Sequence, residues 1–111
     1  MSEQPKDLKP RTKAFALRVI RMYSNLPKND AVAQVLGKQV LRSGTSVGAN
    51  YREASRSRSK AEFVSKSGDC LKELLVDSGC VSAAKMAALL DENRQLIAIF
   101  TTIDKRSKDG L

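Results

Sequence analysis

An all-α, antiparallel up-and-down four-helix bundle is the fold this sequence predicts. Three observations point there. Apolar residues recur at helical spacing in four separate stretches, and no stretch alternates as a strand would. The connections between those stretches are short. Aromatics make up only 5% of the 111 residues and Trp is absent, so Val, Leu, Ile and Ala must fill the core. Such side chains suit packed helices better than a sandwich. A chain of this length builds one domain and folds without staples.

Residues 1–9 read as a disordered leader, because Ser, Glu, Gln, Pro and Lys dominate and offer nothing to bury. The first helix is expected to start between Pro10 and Lys13 and to run to about Asn25. Phe15, Val19, Met22, Tyr23 and Leu26 form its stripe, and Pro27 stops it. Asn29 or Asp30 caps the second helix. Its pattern continues to about Ala54 or Ser55, a rod of about 40 Å. Gly37, Gly44 and Gly48 lie inside it, each costing up to about 1 kcal/mol of helix propensity. Their presence predicts close approach by a neighbouring backbone, with Gly44 and Gly48 as a packing pair.

Ser55 to Ser59 reads as a basic connector. Ser59 and Glu62 have the spacing of a capping box, which places the start of the third helix at Ser59. Phe63, Val64, Ser67, Cys70, Leu71, Leu74 and Leu75 make its stripe, and Gly79 fits the position just past its end. Ser82 caps a fourth helix running to about Lys105. Met86, Leu89, Leu90, Leu96, Ile97, Phe100 and Ile103 line it. Asn93 falls in the same stripe and needs a hydrogen-bond partner once buried. The bundle is thus expected over 10–106, with a frayed tail at 107–111.

Composition narrows the function. The sequence has no histidine, which removes Ser-His-Asp, Cys-His and His-metal sites, and no cofactor is called for. If Cys70 and Cys80 lie on one helix, ten residues would set them about 15 Å apart, too far to bridge. They read as small core residues in a reducing cytoplasm. The N-terminus has no apolar signal region and no apolar run reaches membrane-spanning length. A cytoplasmic, non-enzymatic protein is the expectation. Glu53, Glu62 and Glu73 read as surface or capping acids. Asn50 reads as an amide that fixes helix register across the bundle.

Charge is the informative feature. Lys and Arg total 20 against 12 Asp and Glu, a net of +8. Between residues 38 and 60 there are six cations and one acid, Glu53, so this short stretch carries +5. Read as one helix, Leu36, Val40, Val47, Tyr51 and Ala54 face one way, and Lys38, Arg42, Arg52 and Arg56 face the other. Arg58 and Lys60 extend the basic side into the connector. One-sided cations favour binding to a phosphate backbone. The aromatic within the stretch, Tyr51, falls on the apolar face, so none is interleaved with the cations for base stacking. The candidate nucleic-acid contacts are therefore Lys38, Arg42, Arg52, Arg56, Arg58 and Lys60. The other readings are a scaffold that docks an acidic partner protein or lines a subunit interface, and peripheral membrane binding.

The pattern Gln39, Arg42, Ser43, Gly44, Ser46, Val47, Asn50, Glu53 and Ala54 resembles the signature of a bacterial family. Its members are small four-helix-bundle proteins encoded in intervening sequences of 23S ribosomal RNA genes. The basic connector, the Lys60–Phe63 stretch and the Ser67–Glu73 stretch are also similar, so the likeness spans about residues 15–106. Tyr51, Arg52 and Ala54 depart from a usual aliphatic residue, alanine and glycine. The resemblance implies a homo-oligomer, commonly a homopentamer, with Ser43, Ser46, Asn50 and Glu53 as motif residues. The same family includes the accessory protein of diversity-generating retroelements, which binds nucleic acid and partners a reverse transcriptase. A protein partner of that kind is implied here too.

Overall fold

The computed structural model describes residues 5–48, 53–79 and 83–109. Four helices follow in order: α1 Pro5–Ser24, α2 Ala31–Thr45, α3 Ala54–Ser78 and α4 Ala83–Asp109. No strand occurs among the described residues. Neighbours pack around a ring, α1 on α2, α2 on α3, α3 on α4 and α4 on α1, and among the described residues no backbone approaches within 8 Å across the diagonals. This is the four-helix bundle that the apolar spacing predicts.

The first helix starts earlier than Pro10. Leu8 is buried and belongs to the same stripe as Phe15, Val19, Met22 and Leu26. Burying a leucine is worth about 1.5–3 kcal/mol, enough to extend the helix back to Pro5 and leave Pro10 in its interior. Residues 5–9, expected to lie before the first helix, are its first turns. Beyond Ser24 the chain turns through Pro27. The Asp30 side chain then accepts a hydrogen bond from the Ala33 amide at 3.0 Å, which makes Asp30 the N-cap of α2.

The second rod is not continuous to Ala54, as its apolar pattern had predicted. α2 ends at Thr45, and the Ser46 amide bonds the Ser43 carbonyl in a tighter turn. Ser43, Gly44, Thr45, Ser46, Val47 and Gly48 are all weak helix formers. The Thr45 and Ser46 hydroxyls also bond the carbonyls of Leu41 and Arg42, so side chains compete for the helix ladder. Burial in the pattern still holds. Val40, Val47 and Ala54 are buried and Leu36 packs on the core, although they no longer share one helix. Asn50, Tyr51 and Arg52 lie outside the described residues.

The glycines act as the packing device expected of them. A Cβ on Gly44 would stand 2.8 Å from Val19 Cγ2, and one on Gly48 would stand 2.6 Å from Thr12 Cβ. The end of α2 and its turn therefore rest directly on α1.

The third helix starts at Ala54, not Ser59. The Arg56 and Ser57 amides bond the Glu53 carbonyl. Ser59 and Glu62 are interior to α3, so their capping-box spacing is not used as a cap. Ala54, Ser57, Ala61 and Val64 are buried at helical spacing. Small and polar members hide that stripe in what reads as a serine-arginine connector. Gly79 ends the helix at φ 76°, the left-handed geometry its position required.

The rest of the third stripe divides. Val64, Ser67, Leu71 and Leu75 are buried, whereas Phe63, Cys70 and Leu74 are exposed. Cys70 is thus a free surface thiol and not a core residue. Cys80 and Ser82 lie outside the described residues. α4 runs one turn past Lys105 and places Met86, Leu89, Leu90, Leu96 and Phe100 in the core. Asn93 is fully buried among them. Its amide donates to the Ala61 carbonyl at 2.8 Å and to Ser65 Oγ at 2.9 Å, which pins α4 to α3.

Candidate functional site

The basic segment is built by a hairpin, α2 against α3, in place of one rod. The two helices have opposite neighbours, which sorts their side chains. On α2, Gly37 and Gly44 face α1. The other flank of α2, with Val35, Lys38, Gln39, Arg42 and Ser43, forms one wall of an open groove of about 460 Å³. Phe63 of α3 forms part of the opposite wall.

On α3 the helical period separates two edges. Arg58, Ala61, Ser65 and Gly68 fall within about 80° of one another and face α4. Ala61 and Ser65 hold Asn93, Gly68 meets Leu90, and Arg58 meets Asp104. Arg56, Lys60 and Phe63 fall within about 60° on the other edge, toward α2. Lys38 and Arg42 thus stand across from Phe63, and Arg56 and Lys60 lie on the same α3 edge, one to two turns nearer its start.

The six sequence candidates separate accordingly. Lys38 and Arg42 are exposed on the groove wall, and neither is in an ion pair with a described residue. The same holds for Lys60, which is half-buried. Arg56 pairs with Glu53 one turn away at 3.6 Å, with both side chains more than half exposed. Such a contact is worth little in water and leaves the guanidinium open to a competing anion. Arg58 is different. Its Nη1 lies 3.4 Å from Asp104 Oδ2, where the carboxylate is only 11% exposed. It is a strut between α3 and α4, pointing away from the groove. Arg52 lies outside the described residues.

The motif residues also sort by position. Ser43 lines the groove, Ser46 caps the end of α2, and Glu53 precedes α3 at its N-cap position. Asn50 is not described. Phe63 is the residue sequence reasoning missed. Along a single helix the aromatic of the stretch, Tyr51, falls on the face opposite the cations, but the hairpin brings Phe63 across from Lys38 and Arg42. Its signal was an apolar residue at the margin of the α3 stripe, one position from Val64.

Among the described residues, no three His, Cys, Asp or Glu side chains cluster closely enough to hold a metal ion. None of the described helices is long and apolar enough to cross a membrane.

A ring of four helices with a cationic groove along one hairpin defines a small four-helix-bundle protein. Comparison with known families then assigns it: residues 7–105 match the model of the 23S rRNA-intervening sequence protein, and the chain belongs to that family. It is also similar to a solved structure from Bacteroides thetaiotaomicron, a protein of unknown function from the S23 ribosomal protein family. That match has 27% identity and a TM-score of 0.58, and it covers 86% of this chain and 95% of the other. No curated protein matches the chain.

Proposed function

We propose that this chain is a non-enzymatic, self-associating bundle that binds nucleic acid through phosphate contacts along the α2–α3 hairpin. One observation carries the reading: Lys38 and Arg42 stand exposed on the groove wall, without carboxylate partners among the described residues, across from Phe63, whose α3 edge also carries Arg56 and Lys60. Two cations on the groove wall and two more on the α3 edge that carries Phe63 concentrate positive potential where a backbone can lie. The net charge of +8 supports the same reading. Arg58 drops out of the contact set because Asp104 engages it.

Four phosphate contacts on a single strand predict a log–log salt slope of about −3. Replacing Lys38, Arg42, Arg56 and Lys60 together by Ala should flatten that slope and weaken binding to RNA and DNA alike. Unchanged affinity in this variant, with the helical circular dichroism intact, would sink the proposal.

A protein-docking reading has its own support. Leu17 and Ile20 on α1 and Val32 on α2 are large apolar side chains left exposed. They suit contact between copies, or a protein partner such as a reverse transcriptase. Pull-down after nuclease digestion separates the two: retention of one acidic protein once RNA and DNA are gone favours docking.

A further inference from the structure

We infer that the groove between α2 and α3 receives one unpaired nucleotide, its base laid on the Phe63 ring and its phosphate held by Lys38 and Arg42. This rests on the nucleic-acid reading above and adds to it the form of the strand: single-stranded. Phe63 is 41% exposed on a chain that buries its other two phenylalanines, Phe15 and Phe100, completely. A ring left at the surface beside unpaired cations has a π-face that water does not satisfy and a base does.

The groove has the mixture a nucleotide needs. Val35 and Phe63 supply apolar surface, Lys38 and Arg42 supply charge, and Gln39 and Ser43 supply hydrogen-bonding groups for a base edge or ribose. Its volume, about 460 Å³, is within the range of small-ligand sites. A base inside a duplex is stacked on both sides and cannot offer its face to Phe63. Phosphates of single strands and duplexes both fit the cations, so only the aromatic discriminates between them.

The chain has no Trp, so Phe63→Trp introduces a single reporter. The probes are an oligouridylate of about 12 nucleotides, within the site sizes of single-strand-binding folds, and its duplex with oligoadenylate. The single strand should quench the Trp emission and the duplex should not. Phe63→Leu should weaken single-strand binding about 5- to 100-fold, the effect of losing one stacked base. It should leave duplex binding and both salt slopes unchanged, because phosphate contacts remain.

Three results overturn the inference. If single strand and duplex bind equally and Phe63→Leu alters neither, stacking is wrong while phosphate binding stands. If no nucleic acid binds at all, both readings fall together. If Phe63→Leu changes the subunit number in the absence of RNA, the groove is an interface between copies.

Discussion

Arg42 and Arg58 lie sixteen residues apart and carry the same charge, yet their environments assign them opposite work. Arg58 faces a mostly buried carboxylate of α4. Arg58→Ala removes that cation and should lower stability by about 1–3 kcal/mol, with no change in the salt slope of RNA binding. Arg42→Ala should do the reverse: thermal melting unchanged within about 0.5 kcal/mol, and the slope shallower by about 0.7–0.9. Melting curves and salt titrations of the two variants test the assignment together. Asn93 offers a second residue-scale case. Both of its amide hydrogens are donated to α3, so Asn93→Asp replaces a donor with an acceptor facing the Ala61 carbonyl. A buried charge beside a carbonyl is costly. Urea denaturation should show a loss of about 3 kcal/mol or more.

Among the elements, the α1–α2 contact is set by the absence of side chains. Gly44→Ala improves helix propensity by about 1 kcal/mol, but its Cβ would press on Val19. Overpacking should win, for a net loss of about 1–2 kcal/mol. Combining it with Val19→Ala should recover part of that loss, a non-additivity that a double-mutant cycle reads directly. The start of α3 gives a contrasting expectation. Had Ser59 been an N-cap, Ser59→Ala would cost about 1 kcal/mol. Because Ser59 is exposed in the interior of α3, the substitution should be neutral or slightly stabilising, since alanine is the better helix former. Asp30→Ala, at a cap that is used, should lose about 1 kcal/mol. Similar melting for Ser59→Ala and Asp30→Ala would contradict this account of the helix starts.

At the scale of the whole molecule, the ring closes by its thinnest contact, α1 against α4. There Arg11 reaches Glu92 through two bonds of 2.8 and 3.0 Å and Gln95 through a third of 2.7 Å. A bidentate fork compensates for limited apolar contact along this side. Hydrogen exchange should therefore protect α3 and α4 longest and α1 least. Arg11→Ala should speed exchange in α1 before it affects α3. Uniform acceleration across all four helices would show that the bundle opens only as a unit.

The number and type of elements were legible in the residues because burial on one side of a helix imprints a period on the chain. Glycines that permit close packing, the Asp30 cap and the Gly79 stop were legible for equally local reasons. The continuity of α2 into Ala54 was not. Its apolar period crosses the Gly44–Gly48 turn undisturbed, since Val40, Val47 and Ala54 are all buried although they do not share one helix. The start of α3 was obscured because Ser57 occupies a core position without looking apolar. Within the site, Lys38 and Arg42 could be found by charge alone. Whether a cation meets a carboxylate on another helix, as Arg58 does, depends on which edge faces which neighbour.

What the sequence determined unaided is a bundle of four helices carrying an excess of positive charge near its middle, because period and charge are properties of neighbours along the chain. Only the tertiary structure decided which cations stay free and that an aromatic stands across from them. Those are relations between residues far apart in the chain, created when α2 folds back on α3 and α3 on α4, and no local pattern encodes the distance between two helix edges.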